Sequence, residues 1–149
     1  MDDDRMSGPT SDEPNATAWI LGFVGAGLSV VGGFLHFFRG SSSQWLDFAG
    51  GFSPHLPLLG AVIRGLVAPA VIAWAAYLGI GGRGRVGGPL MLGAGAVWLA
   101  WMLHYWTDYA SGGVGQKAGI GLFVMILGAA FALAGGIIAT MRALRDEPM

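Results

Sequence analysis

The chain has 149 residues, of which 54% are hydrophobic and only 11% charged, with a net charge of -1. A soluble domain carries roughly 25% charged residues, so a water-solvated globule of this size is excluded and lipid is the expected solvent. No basic stretch is dense enough to suggest nucleic acid as a partner, and the absence of cysteine excludes disulfides, thiolate metal sites and thiol redox chemistry.

Residues 1–17 are polar and acidic, with Pro9 and Pro14, and read as a disordered tail. Asp2, Asp3, Asp4, Asp12 and Glu13 outweigh Arg5, the opposite of the positive n-region of a cleavable signal. The first apolar run, about 18–38, is therefore expected to stay as a membrane span. A loop from Arg39 through Pro57 follows, in which Ser43 caps a short interfacial segment placing Trp45, Leu46 and Phe48 at the membrane surface. The second span is expected at about 58–80, kinked by Pro69. Gly81 to Gly88 reads as a tight turn carrying Arg83 and Arg85. Pro89 then suits the first turn of a third span, about 89–106. Asp108 to Lys117 forms a second loop, the fourth span covers about 118–141, and 142–149 is a short tail.

The expected fold is thus an all-α integral membrane protein, a four-helix transmembrane bundle filling residues 18–141. Lys and Arg set its orientation. Arg5, Arg83, Arg85, Arg142 and Arg145 lie on one side, and Arg39, Arg64 and Lys117 on the other. Both termini are expected in the cytoplasm, with the two longer loops outside. The compact loops suggest a prokaryotic cytoplasmic membrane.

Small residues recur at helical spacing. Gly25, Ser29 and Gly33 in the first span, and Gly128, Ala132 and Gly136 in the fourth, follow i, i+4, i+8. Such ridges let backbones approach closely, either within one chain or across a homodimer.

The polar residues gather at the outer end. His36, Arg39, Asp47, His55, Arg64, His104, Asp108 and Lys117 all fall there, among Trp45, Trp101, Tyr105, Trp106 and Tyr109. Most of this is an aromatic belt, because amphipathic rings prefer the interface. A pairing of Asp108 with Arg64, Lys117 or protonated His104, four residues before it on one helix face, would relieve a carboxylate at the unfavourable end of span three, and with Arg64 also a guanidinium one turn inside span two. The sharper alternative is a ligand site in which His36 and His104 hold haem as axial ligands, or with His55 or Asp108 complete a Zn, Cu or Fe site.

Three function classes remain. A structural or accessory protein, acting through helix packing with itself or a larger membrane complex, fits the bare spans and small-residue ridges. A membrane haem or metal protein would use the outer histidines. A small transporter or channel would take an apolar or neutral solute, since the span centres hold no ionisable group and Ser29 is the most polar side chain there. Neither GxSxG nor paired carboxylates support an enzyme. Four spans with Trp45 in a longer first outer loop resemble claudin-like tetraspans in outline, without their W…GLW…C…C pattern, and nothing beyond the span count follows from that.

Overall fold

A computed structural model of the chain describes residues 16–35, 38–39, 57–110 and 117–145, with side chains described for 16–35, 65–107 and 118–145. Four helices carry it: α1 (Ala16–Phe34), α2 (Pro57–Ile80), α3 (Gly84–Ala110) and α4 (Ile120–Arg145). A two-residue antiparallel ladder joins β1 (Phe38–Arg39) to β2 (Lys117–Ala118). With 19 to 27 residues each, the helices extend roughly 28 to 40 Å at about 1.5 Å per residue. Three of them, α1, α3 through Thr107 and α4, are long and apolar enough to cross a hydrocarbon core of about 30 Å. In α2 the apolar stretch with described side chains, Gly65–Ile80, is shorter.

Each helix packs on its neighbours in sequence, and α4 closes on α1, so α1 and α3 stand on one diagonal and α2 and α4 on the other. Fully buried Ile72, Met91, Met102, Leu122 and Met125 fill the middle. The outside is equally apolar: Trp74, Tyr77, Val97 and Ile120 are all more than half exposed. In water so large an apolar surface would aggregate, whereas in a bilayer it is solvated.

The turn between α2 and α3 is shorter than the sequence suggests. It takes only Gly81 to Arg83, and α3 starts at Gly84 instead of near residue 89. The reason is a Schellman cap. Gly82 adopts φ +81°, a left-handed conformation that glycine enters without Cβ strain. It lets the Arg83 N–H donate to the Leu78 carbonyl at 2.9 Å and the Gly82 N–H donate to Gly79 at 3.2 Å. The Arg83 carbonyl immediately accepts from Val86 and Gly87, both at 3.0 Å, and so opens α3. Pro89 is consequently the sixth residue of α3 rather than part of its first turn, and its missing N–H costs a bond only near the solvated end. At the opposite end α1 stops at Phe34, four residues before the expected limit. There the chain tightens, with the Leu35 N–H donating to Gly32 at 3.2 Å, and leads into β1.

The bundle therefore has two unlike ends. The turn end holds the Gly81–Arg83 turn, the start of α1 and the finish of α4, with exposed Arg83, Arg85, Arg142 and Arg145. The ladder end holds β1, β2, the start of α2 and the finish of α3.

Candidate functional site

The closest packing lies between α1 and α4. Ala18, Gly22, Gly25, Ser29 and Gly32 are buried on α1; Gly121, Met125, Gly128, Ala132, Gly135 and Ala139 are buried on α4. Both series alternate steps of four and three, the 3.5-residue rhythm of a left-handed seam. The two helices run antiparallel with backbones almost touching. A Cβ on Gly25 would sit 2.5 Å from the Gly128 carbonyl oxygen, one on Gly32 2.8 Å from that of Gly121, and one on Gly135 2.6 Å from that of Ala18. Only glycine fits such positions, and the close approach supplies the dispersion contact that a lipid solvent does not drive.

The six ridge residues read from the sequence are placed as follows. Gly25 and Ser29 meet Gly128 and Ala132 directly across this seam. Gly33 is buried on α1. Gly136 turns toward α3, where an added Cβ would lie 2.5 Å from the Leu92 Cα.

At the centre of the bundle lies a buried polar pair. Ser29 Oγ donates to the Gly25 carbonyl at 2.9 Å and accepts from Trp98 Nε1 at 3.1 Å. Ser29 is wholly buried and Trp98 is 4% exposed, so an indole from α3 reaches α1 across the diagonal. With the indole N–H and the hydroxyl both bonded, neither is left bare in an apolar interior. Met91, also on α3, fills the neighbouring space against Gly22 of α1 and Gly135 of α4. Sequence reasoning assigned tryptophans to the interfacial belt and passed over Trp98. Its signal was depth, because it lies two helical turns inside Trp106.

The flank between α1 and α2 is looser. Phe23, Ala26, Gly27 and Val30 face Leu66, Pro69, Ala70 and Ala73 around an open recess of about 440 Å³ lined by apolar side chains. Small side chains on both helices leave this space.

At the ladder end the register pairs Phe38 with Ala118 and Arg39 with Lys117. β2 also packs on α3, and β1 on α4. Below it Trp106 of α3 meets Phe123 of α4 edge-to-face, with centroids 4.7 Å apart. His104 lies on the exposed flank of α3, its ring centroid 6.3 Å from that of Tyr105. The Thr107 hydroxyl donates to the His104 carbonyl at 2.8 Å.

Of the proposed haem or metal ligands, His36 and His55 lie outside the described residues, as does the interfacial segment around Trp45. Among the described residues no group of three potential His, Cys, Asp or Glu ligands comes together. Arg64 falls in α2, Asp108 in the last turn of α3 and Lys117 in β2, and the proposed pairing of their side chains lies outside the described ones. Among the described residues Ser29 is the wholly buried polar one, and it is hydrogen-bonded within the bundle.

No family model matches the chain, and no curated protein or solved structure is significantly similar to it.

Proposed function

We propose that this chain is a four-span protein of a prokaryotic cytoplasmic membrane, with both termini inside, that serves as a structural or accessory component. It acts by packing its apolar outer faces against further copies of itself or against a larger membrane complex. The observation that carries this reading is the interior: glycine-mediated backbone contact closes the α1–α4 seam, and the Ser29–Trp98 bond satisfies the central polar pair. A core sealed in this way offers little to a substrate and leaves the outer faces to do the work. The length of α2, 24 residues, supports its crossing as the fourth span. The exposed arginines of the turn end support a cytoplasmic location for that end.

A photo-crosslinking residue placed at Val97 on α3 and at Ile137 on α4, both exposed, tests the assembly reading in native membranes. Discrete protein adducts of reproducible mass are expected from at least one face. Adducts to lipid alone from every exposed face would refute it. Because the chain has no cysteine, Arg85→Cys is a clean orientation probe. Labelling from outside intact cells would reverse the proposed topology.

A further inference from the structure

At the turn end α4 outruns the helix it packs on. Gly32 meets Gly121, Gly25 meets Gly128 and Ala18 meets Gly135 across the seam, so each step back along α1 matches one forward along α4. On that register Ala16, where α1 begins, is level with Ile137, whereas α4 runs on to Arg145. About two turns of α4, roughly 12 Å at about 1.5 Å per residue, therefore project past α1. The four-and-three rhythm of the seam continues from Gly135 and Ala139 to Arg142, which sets a cation on the face that α1 covers further down. α3 brings two more. A Cβ on Gly95 would lie 2.8 Å from the Leu133 nitrogen and one on Gly88 3.1 Å from the Thr140 nitrogen. Arg85, one turn before Gly88, is thus level with Arg142, and Arg83 lies in the turn beyond it. All four arginines of this end are exposed.

The chain enters α1 at the same end, and the residues before Ala16 carry the opposite charge: Asp2, Asp3, Asp4, Asp12 and Glu13 against Arg5. Glu13 and Asp12 precede Ala16 by three and four residues. At up to about 3.5 Å per extended residue, that length covers the roughly 8 Å rise from the level of Ala16 to that of Arg142. We propose that the acidic segment Asp12–Glu13 docks on the arginines of the turn end, its carboxylates pairing with Arg142 and Arg85 and its chain continuing the cover of α4 beyond α1. Asp2 to Asp4 add charge to the same patch. The docked segment occupies cations that anionic lipid headgroups also seek, so it limits how strongly this end binds such headgroups. Segment and arginines share one end of the bundle, so docking does not depend on which side of a membrane that end faces.

The absence of cysteine allows two nitroxide labels, at Ser11→Cys and at Leu144→Cys, an exposed site beside Arg145. Distances between them are recorded by pulsed electron resonance on the full chain in phosphatidylcholine nanodiscs. A narrow short-distance population is expected. Asp12→Asn with Glu13→Gln is expected to lower the docked-to-undocked ratio about fivefold, the combined effect of two exposed ion pairs. Salt at about 1 M, where screening acts beyond about 3 Å, is expected to do the same. Asp146→Asn with Glu147→Gln removes the two carboxylates that follow Arg145 and is expected to leave the ratio unchanged or raise it. Exchanging the charges, with Asp12→Lys, Glu13→Lys, Arg85→Glu and Arg142→Glu together, is expected to restore docking. Should that variant not fold, the segment variant and its salt dependence carry the comparison, because both substitutions precede α1. A broad distribution in the wild type, an equal fall on neutralising Asp146 and Glu147, or a folded charge exchange that fails to dock would overturn the proposal. So would a ratio that ignores the charge of Asp12 and Glu13 and falls only when about 20% phosphatidylglycerol is added, since the patch would then belong to lipid headgroups.

Discussion

Gly128→Ala is the sharpest perturbation of the α1–α4 seam. The added Cβ would lie 2.6 Å from the Gly25 carbonyl oxygen, 2.7 Å from Ser29 Oγ and 2.8 Å from the Ser29 nitrogen. Carbon and oxygen sit at roughly 3.3–3.6 Å in a relaxed close contact, so the helices must part locally by about 0.7–1 Å. A gap of that size forfeits a quarter to a half of the dispersion energy of the contacts it opens, and forced overpacking typically costs about 1–3 kcal/mol. Moving Ser29 also strains its bond with Trp98, worth about 0.6 kcal/mol in a membrane interior. Alanine returns about 0.5–1 kcal/mol through its better helix propensity. The net loss is about 2 kcal/mol, close to a 30-fold change in the folded-to-unfolded ratio. Reversible unfolding in mixed micelles, followed by circular dichroism, measures it. Gly27→Ala is the internal control, because a Cβ there meets nothing within 4 Å; it is expected to be neutral or stabilising by up to about 1 kcal/mol. If the two substitutions behaved alike, the close-packed seam would be refuted.

Four further substitutions probe the interior by the same unfolding assay. Ser29→Ala and Trp98→Phe, with their double variant, are expected to show a coupling of about 0.6 kcal/mol; a coupling of zero would mean that the bond from Trp98 Nε1 to Ser29 Oγ contributes nothing. Met91→Ala opens a void at the bundle centre and is expected to cost about 2 kcal/mol, the low end for a buried methionine, because transfer into lipid lacks the hydrophobic term. A loss below about 0.5 kcal/mol would mean that neighbours collapse into the space. Thr140→Val is expected to be neutral or to stabilise by about 1 kcal/mol, since the buried Thr140 hydroxyl has no hydrogen-bond partner among the described residues. A marked loss of stability would show that the hydroxyl is bonded after all.

Helical spans were legible because apolar runs of about twenty residues leave few alternatives in this composition. Helix bounds were less so. The start of α3 at Gly84 depends on the left-handed turn at Gly82, and several glycines between 81 and 88 could have supplied it. The short ladder was not visible, since two residues carry no periodicity. Small-residue ridges were recognisable as a class, whereas their rhythm was not. The i, i+4, i+8 reading joins Gly128 and Ala132 to Gly136, yet alternating steps of four and three carry the seam on to Gly135 and hand Gly136 to Leu92 of α3. That distinction depends on which helix is the neighbour, and a single sequence does not encode adjacency in any local pattern. Ser29 stood out as the central polar residue; its partner Trp98 could be identified only once α1 and α3 were placed on a diagonal.

Native mass spectrometry of the protein released from its own membrane in a mild detergent distinguishes the proposed role in assembly from one in a bound redox or metal centre. Masses of defined protein assemblies are expected, integer multiples of the 15.4 kDa chain or fixed complexes with another protein, carrying neither haem nor metal. A stoichiometric haem or metal adduct that disappears in His104→Ala would contradict the assembly role.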